Sequence, residues 1–135
     1  MSGIFADSAY YIALLTDSDD LHPAARQVGK SLGATQVVTT DAVLVEVFAY
    51  FSGRGRHQRL EAVELVEVLV ADPLTTIIHQ TPALFFAGVD LYRRRLDKGY
   101  SLTDCMSMVL CREQDIAGVL THDRHFEQEG FAVLL

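Results

Sequence analysis

Short apolar runs alternate along the chain with longer stretches of helical period, and turn residues mark each change. Ile4-Phe5-Ala6 predicts a short buried strand ending at Asp7, and a helix starts over residues 10–15. Residues 21–32 predict a second helix, with His22-Pro23 at its start, where a missing N–H costs no intrahelical bond. A β-branched strand follows over 36–40. Asp41 then stands where it can cap a helix over 42–51, which Ser52-Gly53 stops. Residues 57–71 form a helix with Glu61, Glu64 and Glu67 on one charged stripe, ended by Asp72-Pro73. A strand over 75–79 comes next, and Pro82 opens a long helix running to Lys98-Gly99. The remainder reads as a helix over 101–114, a strand over 117–121 and a last strand over 131–135 after Gly130. This alternation indicates βαβ units, hence an α/β fold with a mostly parallel sheet of about five strands covered by helices on both faces. No repeat, low-complexity tract or linker interrupts it, so one domain over 1–135 is expected.

Open α/β sheets bind ligands beyond the carboxyl ends of their strands. Asp7 ends the first strand and Asp123 follows Val119-Leu120-Thr121, so both are expected on one edge. Glu46 is on the helix leaving the second strand, and Asp104 is in the first turn of the helix near Ser101. Three of these have ordinary explanations. Asp7 and Asp123 could cap the helices or turns that follow them, and Ser101-Leu102-Thr103-Asp104 fits a capping box. Glu46 fits none of these, because Val43-Leu44-Val45 and Val47-Phe48-Ala49 surround it and Val43, Val47 and Tyr50 share or border its face. A carboxylate there needs a cation, either an arginine or a metal. Four carboxylates converging on one sheet edge repel one another, and a divalent ion removes the conflict. All-oxygen donors favour Mg2+ or Mn2+ over zinc.

Composition bounds the reading further. The chain has 135 residues, 50% of them hydrophobic, which excludes a disordered chain, and a net charge of −7, which disfavours coating nucleic acid by charge alone. Two cysteines, Cys105 and Cys111, make no disulfide scaffold and read as reduced thiols packed with Met106 and Met108. The start at Met1-Ser2-Gly3 has no basic export signal, and no apolar run nears the ~18–20 residues that span a bilayer, so a cytoplasmic protein is expected. Gly29-Lys30-Ser31 is not a P-loop, because Ala24 occupies the first glycine position. His122 and His125 lack the partners of a zinc site, and no serine-hydrolase elbow is present.

Four segments together resemble the PIN-domain ribonucleases, in particular the toxin subunits of VapC-type toxin–antitoxin pairs. They are Phe5-Ala6-Asp7-Ser8-Ala9-Tyr10-Tyr11-Ile12-Ala13-Leu14, Thr39-Thr40-Asp41-Ala42-Val43-Leu44-Val45-Glu46, Ser101-Leu102-Thr103-Asp104-Cys105 and Leu120-Thr121-His122-Asp123-Arg124-His125-Phe126, in family order over nearly the whole chain. The resemblance implies a three-layer α/β/α fold and Mg2+- or Mn2+-dependent hydrolysis of single-stranded RNA, leaving a 5′-phosphate and a 3′-hydroxyl. It makes Asp7, Glu46, Asp104 and Asp123 the acidic metal-binding and catalytic residues, with Ser8 and Thr103 in support. It also implies a homodimer restrained by an antitoxin whose C-terminal segment covers the active-site groove.

Nine of the eleven cationic residues are arginine. Arg54, Arg56 and Arg59 follow the Glu46 helix, and Arg93, Arg94 and Arg95 lie on the long helix. Bidentate phosphate contact suits arginine, so these six are candidate RNA-binding residues, the alternative being solvated faces paired with Glu61 and Glu64 or Asp90 and Asp97. Tyr10, Tyr11 and Tyr50 are candidates for base stacking or for the core. The rival functional class is a non-catalytic PIN-like scaffold that binds RNA or protein. A metal-dependent phosphatase or flap nuclease is disfavoured by the absence of Asp-x-Asp after the first strand.

Overall fold

The structure is a computed structural model describing residues 3–135, and the reading of Met1 and Ser2 lies outside the described residues. Among the described residues the chain forms five strands and seven helices. In chain order they are β1 (Ile4–Ala6), α1 (Ser8–Leu15), α2 (His22–Ser31), β2 (Val37–Thr40), α3 (Asp41–Phe51) and α4 (Arg56–Ala71). The second half contains β3 (Thr75–Ile78), α5 (Pro82–Arg94), α6 (Leu102–Glu113), β4 (Gly118–Leu120), α7 (Arg124–Gln128) and β5 (Ala132–Val133).

The sheet order is β3-β2-β1-β4-β5, and every neighbouring pair is parallel. The chain builds outward from β1 to β2 and β3, then returns to β1's other side for β4 and β5. Crossovers between parallel strands are right-handed, so the two directions of travel place α1–α4 over one face and α5–α7 over the other. The packing agrees: α1 meets α2 and α3, α3 meets α4, α5 meets α6, and α6 meets α7. Phe5, Leu120 and Val119 from the central strands are fully buried together with Val43, Val47, Phe51, Leu91, Met108 and Phe126 from the helices. At Gly88 on α5 a Cβ would collide with Met106 Cγ on α6, so the closeness of these two helices depends on that glycine.

Several elements depart from the sequence-based expectation. Helix α1 begins at Ser8, two residues early. The cap of α3 is Thr40, whose hydroxyl accepts from the Val43 N–H at 3.1 Å, and Asp41 is the first helical residue. The Asp41 carboxylate instead accepts from the Gln80 N–H at 3.0 Å and sits 3.2 Å from His79 Nδ1, fastening the start of α3 to the exit of β3. Helix α5 stops at Arg94 rather than near Lys98. Arg95 leaves the helical region at φ −128°, ψ 44°, and its guanidinium reaches Glu129, 34 residues on. The turn after β4 carries a short helix, α7, that the pattern did not predict. The last strand shortens to two residues at the sheet edge.

Candidate active site

The strand order reverses between β1 and β4, and their register, Ile4 with Gly118 through Ala6 with Leu120, makes the two strands end together. This is the topological switch point at which parallel sheets open a crevice. Asp7 follows β1 directly, and Thr121-His122-Asp123 follows β4. An open groove of about 810 Å3 there is lined by Asp7, Ser8, Glu46, Asp104, Asp123 and His125, among others. All four carboxylates read from the sequence therefore meet, although they come from β1, α3, α6 and the β4–α7 turn.

Each is held by a specific contact. Asp7 occupies the cap position of α1 in extended backbone (φ −91°, ψ 166°) but makes no capping hydrogen bond with its side chain. Its Oδ2 accepts instead from the Thr121 hydroxyl at 3.0 Å. The same Thr121 oxygen accepts from the Asp123 N–H at 3.0 Å, so one fully buried hydroxyl sets both aspartates. Glu46 Oε1 accepts from the Ser8 hydroxyl at 3.0 Å, and no arginine or lysine pairs with Glu46 among the described residues. The capping explanations of Asp104 and Asp123 hold as geometry. Ser101 and Asp104 form the full capping box, and Asp123 Oδ1 accepts from the His125 N–H at 2.9 Å at the head of α7.

Burial and mutual repulsion shape the electrostatics. Asp7 is 4% exposed, and its carboxyl is pushed up from 3.8 to about 7, first by desolvation and then by the negative charge of Asp104. Burial also raises Glu46 and Asp104. In Glu46 the Ser8 bond opposes it while Asp104 and Asp123 add to it; in Asp104 the Ser101 N–H opposes it while Asp123 adds to it. The donors are carboxylate oxygens, which suit a hard divalent cation, and the raised pKa values reflect first their burial and then their like-charged neighbours, both of which a bound cation would offset. The groove fits such an ion.

The family model of the PIN domain matches residues 4–131. The chain belongs to the PIN domain family. The fold of this PIN domain is similar to the crystal structure of VapC20 of Mycobacterium tuberculosis, a sarcin–ricin loop cleaving toxin, with TM-score 0.86, 24% identity, and 96% of each chain covered. It is also similar to the structure of FitAcB from Neisseria gonorrhoeae, with TM-score 0.64, 18% identity, and coverage of 98% of this chain and 96% of that one. No curated protein matches.

Not every expected site residue reaches the groove of this PIN domain. Thr103 makes no hydrogen bond to the carboxylates among the described residues; Thr121 supplies the supporting hydroxyl beside Ser8, and the Asp104 carboxylate accepts from the Ser101 backbone N–H. Thr121 was hidden because it reads as one more β-branched strand residue. Of the arginines, Arg56 and Arg59 line a separate hollow of about 640 Å3 between α3 and α4, with Phe48, Leu60 and Val63. Arg54 lies 3.9 Å over the Tyr50 ring and donates to the Tyr50 carbonyl. Arg93 and Arg94 both donate to Asp90 on their own helix, matching the solvated-face alternative. Arg95 donates to both oxygens of Glu129, at 2.8 and 3.3 Å, and Arg112 and Tyr100 donate to the same carboxylate, so Arg95 belongs to a structural network. The arginine that lines the groove is Arg124, which the arginine clusters did not single out. Tyr10 and Tyr11 are core residues. No helix among the described residues is long and apolar enough to cross a membrane.

Proposed function

We propose that this PIN domain is a Mg2+- or Mn2+-dependent endoribonuclease acting at Asp7, Glu46, Asp104 and Asp123, and that it is the cytoplasmic toxin of a toxin–antitoxin pair. The observation that carries the reading is the convergence of four carboxylates without a basic partner for Glu46 at the switch point of the sheet. A bound divalent cation there supplies positive charge against a phosphodiester and acidifies water. The chain's own groups set the frame. Ser8 orients Glu46, Thr121 orients Asp7 and Asp123, and the capping box fixes Asp104 against the groove wall. Arg124, 83% exposed and held among the described residues by one 3.4 Å contact to Glu127, is placed to take a phosphate of the RNA. The toxin assignment draws support from the likeness to VapC20, and a homodimer and an antitoxin partner belong to the same reading. Asp7→Asn and Asp104→Asn proteins with unchanged circular dichroism should lose metal-dependent RNA cleavage. Full activity in both would overturn the proposal, and recovery of a small protein that binds the chain and stops cleavage would test the toxin role.

A further inference from the structure

Two histidines, His122 and His125, line the groove among its oxygen donors, and His125 faces two of the carboxylates. His125 Nδ1, on α7, lies 3.3 Å from Asp123 Oδ1 and 3.4 Å from Asp104 Oδ2. One donor atom from each of these three residues lies within 4.8 Å of the other two. These separations are long for an N–H···O hydrogen bond, which clusters near 2.9–3.0 Å. They suit atoms that share an ion: two donors about 2.1 Å from one cation stand about 3 Å apart in an octahedron and about 3.5 Å apart in a tetrahedron.

The ring is also held in place. It packs against Tyr100 with centroids 5.2 Å apart and planes tilted by 57°. The Tyr100 hydroxyl is tied to Glu129 at 2.9 Å, and Glu129 in turn to Arg95 and Arg112. At the far side of the imidazole Nε2 faces Gly99, where a Cβ would stand in ordinary van der Waals contact with it at 3.6 Å. Nδ1 is the nitrogen presented to the carboxylates.

We propose that His125 Nδ1 is a metal ligand of this centre, forming with Asp104 and Asp123 a face of two oxygens and one nitrogen that selects Mn2+ over Mg2+. A neutral imidazole adds a softer donor without adding charge, and Mg2+ favours an all-oxygen shell while the later divalent ions accept nitrogen. His122, exposed on the neighbouring turn, belongs to no such group of donors among the described residues. This inference rests on the metal centre of the proposed function.

Electron spin-echo modulation of the Mn2+-loaded full chain reads a directly bound nitrogen. The wild type and the His122→Gln variant should show 14N modulation, replaced by the 15N pattern when the protein is grown on 15N-histidine. The His125→Gln variant should still bind Mn2+ yet lose the signal. Its preference for Mn2+ over Mg2+, measured by competition, should fall at least about tenfold, the scale on which altered metal-site partners change affinity. Should His125→Gln fail to fold, His125→Asn and the isotope exchange in the wild type decide the matter. Wild-type protein that binds Mn2+ without nitrogen modulation, or a signal that survives in His125→Gln, overturns the inference and leaves the carboxylate centre standing. Failure of the wild type to bind Mn2+ at all overturns both.

Discussion

Replacing Asp7 by asparagine should make the metal-free protein more stable at alkaline pH while removing a carboxylate of the proposed metal centre. The Asp7 carboxyl sits near 7 in the folded chain against 3.8 as a free side chain, chiefly because it is buried and secondly because Asp104 is close. Below pH 3.8 both states hold the proton, and the group contributes nothing. Between 3.8 and 7 the native state binds more protons than the unfolded one, so stability falls as pH rises, and above 7 the cost is complete. At 1.36 kcal/mol per pKa unit the full cost is about 4 kcal/mol at pH 8, against about 2 kcal/mol at pH 5. Asparagine keeps an oxygen to accept the Thr121 hydroxyl and carries no charge, so it escapes this cost. Urea denaturation with EDTA at both pH values should show the variant gaining stability over wild type, with a gain about 2 kcal/mol larger at pH 8. Adding Mn2+ at a hundred times its dissociation constant should stabilise the wild type by about 2.7 kcal/mol and the variant by less. A variant-minus-wild-type difference identical at pH 5 and pH 8 would refute the reasoning, because it would mean that Asp7 carries no unusual proton.

Ser8→Ala removes the only hydrogen bond that orients Glu46 among the described residues, and should lower Mn2+ affinity or cleavage about 10- to 100-fold with the melting temperature little changed, as read by metal titration and RNA cleavage together. Glu129→Gln strips the shared partner of Arg95, Arg112 and Tyr100. Since Glu129 is held down near 2, first by its bonds to Arg95, its contribution is present above the ordinary pKa of 4.5 and is lost as pH falls toward 2. The variant should therefore lose roughly 2–3 kcal/mol in urea at pH 7 and show a flatter acid limb than wild type. Arg124→Ala should weaken RNA binding and reduce the slope of log affinity against log salt by about one, whereas Arg93→Ala, whose guanidinium is on Asp90, should leave that slope unchanged.

What the chain states locally was legible, and what arises from distant contacts was not. β1 and the capping box at Ser101 are written in three or four adjacent residues. The odd position of Glu46 in an apolar run needed only helical period to be noticed. The end of α5 depends on Arg95 meeting Glu129, a pairing across 34 residues that no local pattern carries. Helix α7 spans five residues, too few for periodicity to register. The choice between Thr40 and Asp41 as cap turns on the Asp41 contacts to His79 and Gln80, which come from β3's exit. The arginine clusters lie outside the groove lining for a related reason: adjacency in sequence says nothing about the side of the molecule a helix presents, and Arg124, isolated in sequence, is the one at the groove.

Capping and metal binding had looked like competing explanations of the same aspartates, and the geometry shows that they are compatible. A carboxylate offers about four lone-pair sites. Asp104 uses Oδ2 for the Ser101 N–H, Asp123 uses Oδ1 for the His125 N–H, and Asp7 uses Oδ2 for the Thr121 hydroxyl, so each retains acceptor capacity toward the groove. The local bonds limit the rotation by which these carboxylates could escape one another. Freed from those bonds, they would swing into water and away from one another. Held by them, they keep a conflict of charge that a cation resolves without rearranging the protein. The −7 of the chain is in part this stored repulsion, and under the proposed function a bound cation is what lets an acidic domain address an anionic polymer. Affinity for phosphate would come from the ion and from Arg124 rather than from a basic surface, so RNA binding should weaken when the ion is removed, while the fold, relieved of no covalent or packing contact, stays intact.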